Sequence, residues 1–518
     1  MTAFYNGASD ELRRNIFLED GILYVSEAWK SEPEYLSFFS LSRKRGVLEA
    51  KSLPPDDFLK RYNKASMELG NTQQSELQTY AAKLLKTAYE QNASDIHIAD
   101  YGTYGVIHFR CLGMLRSYAQ LPGSRVKQLI AVIYGTMAQQ ASTASHTPSV
   151  RQDARIARRE FLPEKVHSVR VHTEPLECSQ AEGGVGCLML LRLLYDRTEA
   201  AGDLRSRLIG LGYSDPDVGK FRFLTERSGL IIISGPTGHG KSTLLKHVME
   251  AQAEEAPEKS YQSIEDPPEY PLANVKQIMV TTGNIASDPA ARGRNYIDSI
   301  AGAMRSDPDV LMIGEIRFPE AAVAAIDAAL TGHAVWATLH ANNGLGIIPR
   351  MKSLLNGASY AEPLEYLCDH NVLAGLVYQR LVPVLCDQCK VRLQNASEAW
   401  RREVLPAHTF ERVKKAVTNP EEVHVRGPGC AACGQVGFTG QTVAAEVIVT
   451  DQALLGYIRA GKMPEAYEYW RAVMGGRTYV QDAIRKMESG ILDPYMTELR
   501  LGVPLNFSHA DVSGKGSL

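Results

Sequence analysis

One stretch constrains this chain more than any other: an apolar run, Leu230 to Ser234, ends in Gly235-Pro236-Thr237-Gly238-His239-Gly240-Lys241-Ser242, and residues Ser242 to Glu255 follow at helical spacing. A buried strand, then G-x-x-x-x-G-K-S, then a helix is the pattern of a phosphate-binding P-loop. The spacing has a chemical reason. Glycines let the backbone wrap closely around a phosphate with its amides pointing inward, Lys241 reaches the β- and γ-phosphates of a nucleotide, and Ser242 offers a hydroxyl to Mg²⁺. A plain Gly-rich turn would need neither the lysine nor the flanking elements. ATP and Mg²⁺ are therefore the expected ligands.

Downstream the strand, loop and helix pattern repeats, which is the signature of a parallel sheet covered by helices. Strands are predicted at Leu230 to Ser234, Tyr261 to Glu265, Val310 to Gly314 and Ala334 to Leu339. Helices are predicted at Ser242 to Glu255, Tyr296 to Arg305 and Pro319 to Leu330. Each strand after the first ends in polar residues. The run ending at Glu315 delivers a carboxylate beside the P-loop, in the Walker B position, where it holds Mg²⁺ through a water. Ser263-Ile-Glu-Asp-Pro-Pro-Glu269 presents carboxylates at another strand end, with Glu265 placed to activate a water for attack on the γ-phosphate. Thr338-Leu-His-Ala-Asn342 puts His340 on the same edge. An acidic turn or a lone histidine is usually structural, but four such elements in sequence would be gathered on one rim by a doubly wound sheet.

In that order these elements resemble the secretion ATPase family of type II secretion and type IV pilus assembly. The P-loop Gly235 to Thr243, the box around Glu265-Asp266-Pro267, the stretch Asp307 to Arg317 and the box Leu330-Thr-Gly-His333 through Asn342 carry the likeness. It extends upstream through Ala93-Ser-Asp-Ile-His-Ile98, Gln152-Asp-Ala-Arg155 and Val169-Arg-Val171, and downstream through Gln379-Arg-Leu381 and Gly437-Phe-Thr-Gly440 with Glu446. About residues 76 to 500 are covered. The resemblance implies a homo-hexameric ring with ATP bound between two domains, Glu265 as general base, Glu315 as the magnesium carboxylate and His340 as a γ-phosphate sensor. It also implies that Arg155 and Arg170 sense the γ-phosphate, a task suited to a planar, permanent charge. Two departures stand out: Asp153-Ala-Arg155 replaces the family's usual Asp-Gly-Arg, and an insertion, Glu177 to Gly186, lies between the strands carrying Arg170 and Arg192.

Eight cysteines in 518 residues are too few for a disulfide scaffold, and four of them form two Cys-x-x-Cys pairs, Cys386/Cys389 and Cys430/Cys433. Each pair is a chelating knuckle, and together they predict a four-thiolate Zn²⁺ site with no open position and so a structural role. A thioredoxin-like redox pair would need a strand before it and a helix after it. By the same resemblance, the cysteine motif accompanies the extension and secretion members rather than the retraction type.

At about 150 residues per domain the length predicts three or four domains. The expected fold is α/β: a RecA-like P-loop domain with a parallel-rich sheet, preceded by a smaller α+β, PAS-like domain, with a zinc-binding insertion and a helical C-terminus. The expected boundaries are an N-terminal arm or small adaptor domain over 1–75, the α+β domain over 76–196, a linker with at most one short helix over 197–217, the ATPase domain over 218–380, the zinc subdomain over 381–446, a helical subdomain over 447–505 and a disordered tail over 506–518. Residues Met1 to Asp20 lack a basic stretch followed by an apolar core, and no apolar run approaches the roughly 20 residues that cross a bilayer. The expectation is a cytoplasmic protein that works peripherally on the inner membrane through a platform protein. A nucleic-acid motor is the alternative, but a formal net charge of -3 offers no overall basic field for it. A conjugative or type IV secretion traffic ATPase, and a nucleotide-gated scaffold without turnover, are the others.

Overall fold

The strand, loop and helix repeat around the P-loop folds, in a computed structural model, into a seven-stranded sheet. The structure describes residues 9, 11–12, 15–19, 21–44, 47, 49–55, 57–58, 73–139, 145–195, 202–280, 289–357 and 362–507. The tail expected to be disordered lies almost wholly outside these residues. The chain divides into two units, Met1–Arg197 and Thr198–Leu518.

In the first unit, strands β1 (Ile16–Glu19), β2 (Ile22–Ser26) and β3 (Glu49–Leu53) form a three-stranded sheet packed with the helix Pro33–Lys44. The sequence of this part shows no sustained period, which is why only an arm or small domain is readable there. Strands β4 (Ala93–Asp100), β5 (Tyr104–Cys111), β6 (Met114–Pro122), β7 (Gln152–Ile156), β8 (Val166–Glu177) and β9 (Val185–Tyr195) form a second, antiparallel sheet in the order β6-β5-β4-β9-β8-β7. Ile96, Ile98, Ile107, Phe109, Val169 and Leu191 alternate onto one face, where the helices Gln73–Glu90 and Gly123–Val132 bury Leu77, Leu84, Val126 and Leu129 against them. The opposite face keeps the polar residues. The insertion between the strands of Arg170 and Arg192 is the turn of the hairpin β8–β9.

In the second unit, β10 (Gly229–Ser234), β11 (Tyr261–Glu265), β12 (Lys276–Met279), β13 (Val310–Ile313), β14 (Ala334–Leu339) and β15 (Leu373–Leu385) run parallel in the order β12-β11-β13-β14-β10-β15. Every residue of β10, β11 and β13 is buried, as strands covered on both faces must be. Helix Lys241–Glu255 packs Leu244, Leu245, Val248 and Met249 on one side, and helices Pro289–Met304 and Pro319–Leu330 bury Ile300, Ala322 and Ile326 on the other.

Two features differ from expectation. The stretch read as a linker, 197–217, carries the helix Leu204–Leu211 and the start of the helix Asp215–Thr225, and both belong to the core. Leu204, Leu208, Phe221 and Leu224 pack against Ile231, Leu245 and Val443, while Arg207 bridges to Glu250 at 3.3 Å and Glu254 at 2.5 Å. Its glycines and Pro216 are helix punctuation: Gly212, at φ +97°, ends the first helix and Ser214 caps the second. The other difference is the edge of the sheet. β15 runs on to Leu385 and pairs antiparallel with β18 (Phe438–Val449), so the cysteine segment is inserted at the far end of a ribbon that belongs to the sheet. The inserted segment holds a small ladder, β16 (Val391–Arg392) with β17 (His424–Val425). Its Leu393, Val413 and Val423 share one core with Tyr378 and Val382 of the ribbon and Tyr479, Met487 and Leu501 of the terminal helices. The expected division at 446/447 therefore falls inside β18, within a single core.

If the helix pair 204–225 is part of the sheet's core, Phe221→Ala should lower the unfolding free energy of the second unit by about 3–5 kcal/mol, the cost of emptying a buried aromatic site. Urea denaturation measures it. A loss below about 1 kcal/mol, the scale of a surface substitution, would restore the linker reading.

Candidate active site

Four parallel strands set the rim. Ser234 lies opposite Leu339, Ile313 opposite Ala337 and Ile264 opposite Ile313, so the loops leaving β10, β14, β13 and β11 open on the same edge. All of Gly235–Thr243, Glu265, Glu315 and His340 leave from it.

The P-loop is shaped by its neighbour β15. A side chain at Gly235 would place its Cβ 2.4 Å from the carbonyl oxygen of Gln379, so only glycine allows this approach. The Gln379 side-chain amide donates to the His239 carbonyl at 2.7 Å, and the Leu381 N–H donates to His239 Nδ1 at 2.9 Å. The Tyr213 hydroxyl bonds the other end of the Gln379 amide. Gly240, at φ +79°, turns the loop into its helix, with Lys241, Ser242 and Thr243 in the first turn. Lys241 Nζ lies against the loop itself, donating to the carbonyls of Gly235 at 2.8 Å and Pro236 at 3.2 Å. Burial lowers this ammonium to about 8, with Glu315 and Glu269 opposing the shift.

Their surroundings shift the two glutamates in opposite directions. Glu265, at the end of β11, is buried and accepts from Ser263 Oγ at 2.8 Å and Gln277 Nε2 at 2.9 Å. Burial raises its carboxyl above the ordinary range, and the repulsion of Glu269 adds to that. Burial also pushes Glu315 up, but hydrogen bonds from His340 and Arg317 outweigh it and hold this carboxyl at about 2. Arg317 Nη2 is 2.6 Å from Glu315 Oε2, and His340 Nε2 is 3.1 Å from Oε1. The other nitrogen of His340 lies 3.1 Å from the Gly235 carbonyl. One imidazole thus joins the P-loop to the carboxylate beyond β13.

Arg155 and Arg170 belong to the first unit. They pair directly across β7 and β8, and the cross-strand register continues through Arg192, Asp95 and Arg110. Directly opposed residues share a face, so the five form one transverse row on the side away from the helices. Arg192 Nε bonds Asp95 at 2.8 Å. Among the described residues the buried Nε of Arg155 has no hydrogen-bond partner, and burial together with Arg170 lowers this guanidinium from its usual value. Four guanidinium groups to one carboxylate make this a face fit for an anion.

Several residues at the rim went unassigned in the sequence reading. Gln379 and Arg317 stood inside segments that resemble the family, so a signal existed without a role. Gln277 and Tyr296 gave none. Tyr296 reaches from its helix so that its hydroxyl donates to the Ile264 carbonyl and accepts from the Glu315 N–H, each at 3.3 Å, a link between strands that only the fold creates.

The cysteines converge. The sulfur atoms of Cys386, Cys389, Cys430 and Cys433 all lie within 4.8 Å of one another, with separations of 3.7 Å for Cys386 and Cys430, 3.9 Å for Cys389 and Cys433, and 3.7 Å for Cys430 and Cys433. Four thiolates around zinc at about 2.3 Å stand about 3.8 Å apart, so the set fits a tetrahedral Zn²⁺. Burial raises the Cys433 thiol, but N–H donors from Cys430, Gly437 and Val436 outweigh it and bring it to about 6.

Comparison with known proteins agrees with this geometry. Residues 71–500 match the family described as Type II/IV secretion system protein. The chain is 29% identical to the type IV pilus assembly ATPase PilB of Thermus thermophilus over 81% of its own length but 42% of that protein. It is 32% identical to the type II secretion system protein E of Klebsiella pneumoniae over 73% of its length and 67% of that protein. Among solved structures, the Legionella pneumophila ATPase DotB aligns over 82% of this chain and 95% of its own with a TM-score of 0.52 at 20% identity. The pilus retraction motor PilT with bound ADP aligns over 83% and 98% with a TM-score of 0.50 at 21% identity. These structural likenesses establish the shared α/β fold.

If the four thiolates hold zinc, a strong chelator should release one metal per chain and make residues 386–437 sensitive to limited proteolysis, while nucleotide still binds the P-loop. The same digestion pattern with and without chelator would rule out the structural site.

Proposed function

This chain belongs to the type II/IV secretion system protein family and is an ATP-hydrolysing enzyme of that family, and on that premise we propose that it powers assembly of a type IV pilus or of the pseudopilus of type II secretion. It acts as a homo-hexameric ring on the cytoplasmic face of the inner membrane, bound there to a platform protein. The observation that carries the reading is the grouping on one rim of a P-loop lysine, two glutamates shifted in opposite directions and a histidine joining loop to carboxylate.

Each residue has a role that its surroundings support. The backbone of Gly235 to Thr243 cradles the phosphates, and Lys241 compensates their charge. Ser242 and the ionised Glu315 offer the hard oxygen ligands that suit magnesium, which neutralises phosphate oxygens when bound. Glu265 takes the proton of the attacking water. A buried carboxyl with a raised pKa is the better base of the two, and Ser263 and Gln277 fix its orientation. His340, held between Gly235 and Glu315, registers the γ-phosphate. Arg155 and Arg170, on a face rich in guanidinium groups, are the residues proposed to sense the γ-phosphate. Hydrolysis then moves the domains, and the motion is passed to the membrane partner.

The two destinations share this chemistry, and relatives named for each are about equally similar. Assembly rather than retraction is supported by the cysteine module. No helix among the described residues is long and apolar enough to cross a membrane.

Lys241→Ala should abolish ATP turnover with the fold intact; retained turnover would defeat the P-loop assignment. Glu265→Gln should bind ATP normally and hydrolyse it at least about 100-fold more slowly, the scale of a lost general base. Wild-type turnover in that variant would move the base elsewhere. Deleting the gene in its host and complementing with wild type or Lys241→Ala separates the destinations. Loss of surface filaments alone selects the pilus, and loss of secreted proteins alone selects secretion.

A further inference from the structure

Glu446 lies in the middle of β18, is 2% exposed, and takes no part in the chemistry above. Its two oxygens bond two separate pieces of chain. Oε2 accepts from the Gly344 N–H at 2.6 Å, and Oε1 accepts from the Tyr479 N–H, at the start of the helix Tyr479–Glu488, at 3.3 Å. Among the described residues it forms no ion pair. The groups that face it are Tyr378 from β15, Tyr467 and Arg471 from the helix Met463–Ala472, and Tyr479 itself. Burial pushes its carboxyl up to about 7, with the Gly344 and Tyr479 N–H groups opposing the shift.

The retention of a carboxyl here has a geometric explanation. Two N–H groups approach different oxygens, and a carboxyl group offers an acceptor oxygen to each. Glutamine, of the same shape, has one acceptor oxygen and an NH₂ that would face the other N–H. What Glu446 gains is a fixed loop. Gly344 belongs to residues 340–346, which join β14 to the helix Ile347–Gly357 and begin with His340. At one end of this loop the Ala341 N–H donates to Ser234 Oγ at 2.7 Å. Farther along, Glu446 holds Gly344, where a Cβ would sit 3.0 Å from the carboxylate and 2.9 Å from Ile448 Cδ1. His340 therefore leaves a segment anchored on β10 and on β18.

We propose that Glu446 is a positioning residue: its carboxylate latches the 340–346 loop to the terminal helices and so holds His340 against Gly235 and Glu315. The inference rests on the reading of His340 as a residue needed for turnover. It makes the helices at 479–501 part of the support of the site, although none of their residues belongs to the four rim elements.

The test uses the full chain with Glu446→Gln, His340→Ala and the double variant. Glu446→Gln should lower kcat about tenfold with KM for ATP within about twofold, since the latch acts on the arrangement of the rim rather than on phosphate binding. In the His340→Ala background the same substitution should cost nothing more, because both act through one ring. Hydrogen–deuterium exchange over residues 340–346 should speed up in Glu446→Gln and stay at the wild-type rate over the P-loop helix. Unchanged exchange at Gly344, wild-type kcat in Glu446→Gln, or losses that add in the double variant would each overturn the proposal. A wild-type protein without ATPase activity would instead defeat the motor reading, and the exchange at Gly344 would still decide the latch.

Discussion

The nucleotide loop of this protein is held in shape from outside itself, by the strand beside it. β15 brings the Gln379 carbonyl against Gly235 and its side-chain amide to the His239 carbonyl, and its Leu381 N–H finds the His239 ring. These groups are buried, so leaving any one unpaired would cost about 1–3 kcal/mol. The network also sets a protonation state. Burial, with Arg500, Arg380 and Lys241 nearby, lowers the His239 imidazole to about 3. A neutral ring keeps the lone pair that Leu381 requires. The glycines of the P-loop supply freedom, and β15 removes it again.

From that fixed loop the electrostatics of the rim follow. Lys241 is pulled down by burial and Glu315 is drawn far below the ordinary range by His340 and Arg317, while Glu265, whose side-chain hydrogen-bond donors are the neutral Ser263 and Gln277, is pushed up by burial. Paired carboxylates whose surroundings drive them apart can divide labour, one remaining an anion and the other exchanging a proton. The two strand ends lie close: a Cβ at Gly314 would stand 3.2 Å from the Ile264 carbonyl oxygen and 3.4 Å from Glu265 Cγ.

What the sequence made legible was local. The P-loop strand, the Glu315 strand and the helix Pro319–Leu330 are readable because apolar period, glycine and carboxylate fall within one short window, and the fold places them where that window implies. The four cysteines are readable because knuckles are local too. The clamp and the latch are not. Gln379 meets His239 across 140 residues and Glu446 meets Gly344 across 102, and no pattern along the chain announces such a partner. The helix pair 204–225 was hidden by its own punctuation: Gly212 and Pro216 mark helix ends, and ends look like linker when the helices between them are short. β18 was hidden differently. Its apolar run directly follows the second cysteine pair, and the chemistry of the cysteines claimed the segment before its strand period could.

β15 ties these observations together, because it carries the clamp at Gln379 and Leu381 and then reaches Cys386 without leaving the ribbon. At about 3.3 Å per residue Cys386 stands about 17 Å along the chain from Leu381. A strand alternates faces with period two, so a slip of β18 by one residue along β15, which β10 holds in place on its other edge, would turn Glu446 away from Gly344. The pairing runs from Gly375 and Val449 to Leu385 and Phe438, with a single irregularity at Val384/Leu385. Long ribbons with apolar residues on both faces specify their register weakly by pattern alone. Cys386 leads out of one strand and Cys433 lies just before the other, and bringing their sulfur atoms into one cluster is compatible with a single offset of the two strands. Closure at the tip therefore constrains the register at the base, where the latch depends on it. The cysteine cluster and the nucleotide loop are thus tied to two ends of one β-ribbon, which gives the cluster a structural task far from the phosphate chemistry.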